Sequence, residues 1–169
     1  MKNSIGLHIA RFILLVFLQV FVFNNIEISN HIVPYVYILL IILLPVDLPG
    51  WIILLVAFIL GLTIDLLSGT LGFHVFSTVL MAYMRTPVLT FVSPRDGYES
   101  SAIPNLASYG ALWFLKYAAI LVFIHHFSLF MLEVFRFSYI PVIFLRTLLS
   151  GLFSLSFLLI SQYFTFSKQ

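Results

Sequence analysis

Residues 61–72 read Gly-Leu-Thr-Ile-Asp-Leu-Leu-Ser-Gly-Thr-Leu-Gly, between an apolar run that opens at Trp51 and another that opens at Phe73. The stretch seats a carboxylate, Asp65, near the end of the first run. A charge in such a run is costly, by roughly 2.5–3.5 kcal/mol at a bilayer centre and less near an end. Glycines frame it. Gly61 lies one helical turn before Asp65, Gly69 one turn after, and Gly72 opens the next run. Small residues at that spacing let helix backbones approach closely in lipid. Two readings are open. Either the rest of the chain packs around this turn, or the turn is a short interhelical loop whose Asp65 caps a helix or faces water.

The surrounding composition sets the solvent. The 169 residues are 62% hydrophobic and 8% charged, with mean hydropathy +1.15, whereas soluble domains carry about 25% charged residues. Such a chain cannot cover a water-facing surface. An all-α polytopic membrane protein is expected, with residues 1–169 forming one transmembrane domain. The apolar runs are continuous and not alternating, which argues against a β-barrel. Without cysteine, disulfides, thiol catalysis and Cys-ligated metal sites are excluded. A net charge of +2 with no basic patch leaves no footprint for nucleic acid. The run after Lys2 looks like a signal peptide, but Phe23-Asn24-Asn25-Ile26 is a poor cleavage site. It is expected to stay as a first span.

Hydropathy marks six spans, at about 7–23, 32–47, 51–67, 73–92, 109–127 and 140–164. The second is short for a bilayer, with Pro34 at its entry and Pro45 at its exit. It is expected to be tilted, extended to Asp47, or partly re-entrant. Arg85 and Pro87 suggest that the firm part of the fourth ends near Tyr83 or Met84. Residues 93–108 form a long polar segment, and residues 128–139 read as an amphipathic helix in the interface. Six spans put both termini on one side. With that side inward, Lys2, Arg11, Arg85, Arg95, Lys116 and Lys168 lie toward the inner face, and only Arg136 and Arg146 toward the outer. The positive-inside rule therefore puts both termini in the cytoplasm.

That topology sorts polar residues by depth. Asp65, His74, His125, His126, Glu133, Arg136 and Arg146 all fall toward the outer leaflet. An intramembrane carboxylate finds a partner in the bundle interior. Arg146 is the first candidate for Asp65, and a histidine the second. The chemistry-bearing patterns are weak. Adjacent histidines diverge by about 100° on a helix, and neither a His-x-x-x-His pair nor His-Glu-x-x-His occurs. No metal or cofactor is expected. No serine sits in a nucleophile elbow, Asp65 is alone within its span, and no phosphate-binding glycine loop occurs. A catalytic set is therefore not expected.

Residues 61–72, with Gly61 and Asp65 in a Gly-x-x-x-Asp element followed by a small-residue turn and Leu71-Gly72, resemble the rod shape-determining MreD family. Residues 125–135, His-His-Phe-Ser-Leu-Phe-Met-Leu-Glu-Val-Phe, resemble the corresponding stretch of its Bacteroidetes-type members. The likeness covers nearly the whole chain. It implies a six-transmembrane-helix bundle similar to the substrate-binding subunits of energy-coupling-factor transporters. It also implies a non-catalytic inner-membrane scaffold of the cell-elongation complex that supports lateral peptidoglycan synthesis. The implied partners are an MreC-like single-span protein, with MreB, RodA and a class B penicillin-binding protein nearby. Only Asp65 carries over as a matched residue. The competing expectation is a small-molecule-binding subunit of a transporter, its outer polar cluster lining a pocket.

Overall fold

A computed structural model describes residues 2–26 and 32–166; the expected polar break with Glu27, and Lys168 in the tail, lie outside the described residues. The described chain is all-helical, and three helices are long and apolar enough to cross a membrane: Gly50–Ser68, Ala111–Val134 and Phe137–Phe164. Helix α1 (Lys2–Phe17) runs on through a π turn, Leu18–Val22, and a 3-10 turn, Phe23–Asn25. Then follow α2 (Leu39–Ile42), α3 (Gly50–Ser68), α4 (Phe73–Phe91), α5 (Leu106–Tyr109), α6 (Ala111–Val134) and α7 (Ile140–Phe166).

Side-chain contacts give the directions. Asn24 reaches Ser68, so α1 ends where α3 ends. Asp65 meets residues 74 and 75, so α4 returns beside α3. Arg85 meets Tyr117, while His74 and His125 share Tyr37, so α6 runs against α4. His126 meets Ser154, and α7 packs against α6.

α4 is as long as α3 but carries His74, Ser77, Thr78 and Arg85, all buried, on its inner face. Polar residues turned inward lower its hydropathy without bringing it to water. It also continues to Phe91 through Pro87, past the expected end near Tyr83 or Met84. Proline is tolerated within bundled helices where neighbours re-satisfy the freed backbone. Its last carbonyls are capped by side chains: Trp113 Nε1 donates to Val92 O at 2.7 Å, and the Tyr98 hydroxyl to Leu89 O at 2.7 Å.

Two further expectations are corrected. Residues 32–47 do not form a spanning helix. The chain is non-helical from Val33 to Val36, turns at Tyr37, makes only the one helical turn of α2, and leaves through Pro45. Residues 128–134 are not a separate interfacial helix but the last two turns of α6. The break comes at Phe135, a non-glycine residue with φ of 44°. His125 and His126 therefore sit well inside α6, not at its end.

The glycines around Asp65 divide by task. A Cβ on Gly61 would stand 2.6 Å from Val75 Cα and 2.8 Å from His74 O. That is backbone against backbone, so α3 and α4 touch only because residue 61 has no side chain. Gly69 and Gly72 have open space around them but φ of 68° and 85°, a left-handed conformation that costs other residues about 1–2 kcal/mol. They bend the chain, and Gly61 packs it. Gly61→Ala is expected to lower the unfolding free energy in detergent by about 1–3 kcal/mol, the usual cost of overpacking. Gly151→Ala, whose Cβ would meet Val122 Cγ1 at an ordinary 3.5 Å, is expected to change it little. Equal effects in denaturant titrations would remove the claim that α3 and α4 are in backbone contact.

Candidate functional site

Residues 35–44 are buried without exception, although most of them are not helical. They thread the middle of the bundle from the level of Ser150 to that of Ala102. A backbone that does not satisfy its own hydrogen bonds is tolerated at membrane depth only inside protein, and each unmet group there costs several kcal/mol. Part of the bonding is backbone to backbone, within the segment and from Val46 N–H to Ala102 O, and the rest comes from side chains of other elements. Gln19 Oε1 accepts from Val36 N–H at 2.8 Å, and Gln19 Nε2 donates to Pro34 O at 3.1 Å. On α7, Ser154 accepts from Tyr35 N–H at 2.8 Å and Ser150 from Val33 N–H at 3.3 Å. At the far end the Tyr117 hydroxyl donates to Ile42 O at 3.1 Å. Arg85 Nη2 donates to Leu44 O and, at 3.3 Å, to Pro45 O.

Arg85 is wholly buried with Nε donating to Tyr117 at 3.0 Å. No carboxylate pairs with it among the described residues. Its charge is met by carbonyl oxygens and a hydroxyl, so it acts as a clamp on the exit of the threaded segment. Nη1 has no protein partner.

Where the segment enters, the Tyr37 hydroxyl lies 3.0 Å from His74 Nδ1, 2.6 Å from His125 Nε2 and 3.3 Å from Thr78 Oγ1. One hydroxyl has a single proton, so at most one of the two imidazole nitrogens accepts from it. The self-consistent assignment has His125 Nε2–H donating to Tyr37 and Tyr37 donating to His74. It leaves His125 Nδ1, which has no protein partner, as a bare lone pair and not an orphaned N–H. His126 Nδ1 donates to Val122 O at 2.8 Å. Its Nε2 then accepts from the Ser154 hydroxyl at 3.0 Å, the same hydroxyl that receives Tyr35 N–H. The Tyr35 ring lies edge-on to His74, His125 and His126, with centroids 5.3–5.8 Å apart. In this assignment His74 Nδ1, His125 Nε2 and both nitrogens of His126 are paired.

Asp65 holds the adjoining helix end. Its carboxylate accepts from the Thr70 hydroxyl, from His74 N–H at 3.2 Å and from Val75 N–H at 2.9 Å. The last two are the second and third amides of α4. Residue 72, the N-cap, is a glycine without a side chain to serve them, so Asp65 supplies the cap from the preceding helix. The expected pair with Arg146 does not form. Arg146 bonds Glu133 at 3.3 Å and lies over the Phe130 ring, 4.3 Å from its centroid.

The expected cluster is therefore brought together in part. His74 and His125 share Tyr37, His126 is joined through Tyr35, and Asp65 touches the backbone of His74. Glu133 and Arg146 form their own half-exposed pair, and Arg136 is exposed. Gln19, Tyr35, Tyr37, Arg85, Tyr117, Ser150 and Ser154 escaped the sequence reading as members of a site. Among the described residues no group of three His, Cys, Asp or Glu is placed to hold a metal. No family model, curated protein or solved structure matches the chain.

Gln19→Leu orphans both Val36 N–H and Pro34 C=O. At about 1–3 kcal/mol for each unmet group, the unfolding free energy is expected to fall by about 2–6 kcal/mol. Phe21→Leu, on the exposed face of the same helix, is expected to stay within about 0.5 kcal/mol of the parent. Denaturant titration in micelles separates the two, and a Gln19→Leu curve that overlays the parent would show that the segment finds its partners elsewhere.

Proposed function

We propose that the chain is a non-catalytic scaffold of the bacterial inner membrane, of the rod shape-determining MreD type. It binds an MreC-like single-span protein and supports lateral peptidoglycan synthesis beside MreB, RodA and a class B penicillin-binding protein. The observation that carries this reading is the buried and largely self-bonded polar interior. Gln19, Tyr37, Arg85, His125 and His126 are wholly buried and bond one another or the backbone, not a space that a substrate could enter. Grooves of a few hundred Å³ instead run along the outside of the bundle, as between α3 and α4 beside Leu54, Phe76 and Tyr83. A chain built this way acts through its surface. The likeness of residues 61–72 and 125–135 to that family supplies the particular machinery.

In this reading the chain crosses the membrane six times, by α1, the threaded segment 33–46, α3, α4, α6 and α7, as in the substrate-binding subunits of energy-coupling-factor transporters. Arg11, Arg95 and Lys116 lie toward the cytoplasmic end and Arg136 and Arg146 toward the other, which agrees with positive-inside orientation. Because the chain has no cysteine, single introduced cysteines map the sides cleanly. Ser100→Cys is expected to react with a membrane-impermeant maleimide only after the cells are opened, and Phe137→Cys in intact spheroplasts. The opposite pattern would invert the orientation, and reaction of both from one side would end the six-crossing arrangement.

Function is tested by depletion. Rod-shaped cells are expected to round up, and a single-span periplasmic protein to co-purify with the tagged chain from mild detergent. Cells that stay rods, or a small molecule that co-purifies in place of the protein, would overturn the scaffold reading.

A further inference from the structure

A cavity of about 560 Å³ opens at the rim of the bundle between the end of α4 and the start of α6, walled by Phe91, Ser93, Tyr109, Leu112, Trp113 and Lys116 among others. We infer that it seats an anionic glycerophospholipid, the headgroup phosphate at Lys116 and an acyl chain along Phe91 and Leu112.

The cavity is two-faced. Phe91 and Leu112 are among the most exposed apolar side chains, and in a bilayer they face acyl chains. Tyr109 adds a hydroxyl to the lining, and Ser93 another whose proton goes to Pro94 O at 3.3 Å, leaving its lone pairs outward. Lys116 is exposed and lies five residues into α6, on the side that carries Leu112 and Leu115. It has no ion-pair partner among the described residues. An ammonium on a lipid-facing surface is costly unless it snorkels to the interface or meets an anion. The rim also lies at interface depth, since it carries a ladder of aromatic rings. Tyr109 and Trp113 are 4.6 Å apart, and Trp113 stacks on Tyr117 at 5.2 Å. Such belts sit at the headgroup level.

The wall is held in place before any ligand arrives. Trp113 and Tyr98 are both tied to carbonyls at the end of α4, so the walls are pinned on both helices. A ligand with one phosphate and one long apolar chain satisfies both faces together. Free phosphate would meet only the lysine and hydroxyls, and a neutral lipid would leave the ammonium unmet. The inference needs only that the chain sits in a bilayer, not that it serves cell shape.

The test uses the full chain in neutral detergent with Trp51→Phe, so that Trp113 is the only tryptophan. Phosphatidylglycerol titrated into the micelles is expected to shift Trp113 emission saturably at one lipid per chain. Lys116→Gln, which leaves the packed interior untouched, is expected to weaken that affinity about fivefold, and Lys116→Arg to retain it. Phosphatidylcholine and inorganic phosphate are expected to give no saturable shift. An equal response to phosphatidylcholine, or an unchanged affinity in Lys116→Gln, overturns the inference. Inorganic phosphate reproducing the full response would make the ligand a soluble phosphate and overturn its lipid half.

Discussion

The fold depends on one constraint: a stretch of backbone that is not helical runs through the dry centre of the bundle, and its amides and carbonyls must all be answered. Water cannot answer them there, and lipid offers nothing. Four of the surrounding elements give up a polar side chain to it. Gln19 comes from the π turn that continues α1, Arg85 from α4, Tyr117 from α6, and Ser150 with Ser154 from α7. These residues bear on the register of the whole bundle. Sliding any one helix by a residue would turn its polar group into the packed aliphatic interior and orphan the segment at the same time.

Asp65 and Gly61 matter because they set where that segment can go. The absent side chain at Gly61 brings the α3 backbone against α4 near His74, and the Asp65 carboxylate fixes the first turn of α4. His74 is then held on the inner face, where it meets Tyr37. A carboxylate that accepts amides at a helix start is stabilised by the local dipole and needs no cation. Arg146 pairs instead with Glu133.

Much of this was legible in the sequence. The tight turn at 69–72, the close-packing Gly61 and the common depth of Asp65, His74, His125 and His126 follow from spacing and hydropathy. The threaded segment does not, because residues 35–44 are as apolar as a helix would be and hydropathy reports burial, not conformation. Gln19 and Ser154 were illegible for a related reason. Their partners are the backbone of a distant segment, and a backbone leaves no residue-type signal at either end. Arg85 misled as well. A cation inside an apolar run reads as the run's end, and only the convergence of Leu44 O, Pro45 O and the Tyr117 hydroxyl makes its burial affordable. The extent of α6 was hidden because Ser128, whose hydroxyl bonds back to Ile124 O at 2.8 Å, and Glu133 look like a departure from the membrane.

The same bonding occupies most of the imidazole nitrogens of the interior. A general base needs an unshared lone pair near a substrate, and a nucleophile needs a free proton path. His74 and His126 have theirs engaged by Tyr37 and Ser154. The bare Nδ1 of His125 is sealed from solvent and lipid. Opening a route to it would break the bonds that hold residues 33–46 in place, and interhelical hydrogen bonds in membranes average only about 0.6 kcal/mol each. A bundle held by many such modest contacts gains its uniqueness from their mutual dependence. The outside, by contrast, carries little hydrogen bonding: exposed apolar side chains line α3, α4 and α7, and Tyr109, Trp113 and Lys116 gather at one rim.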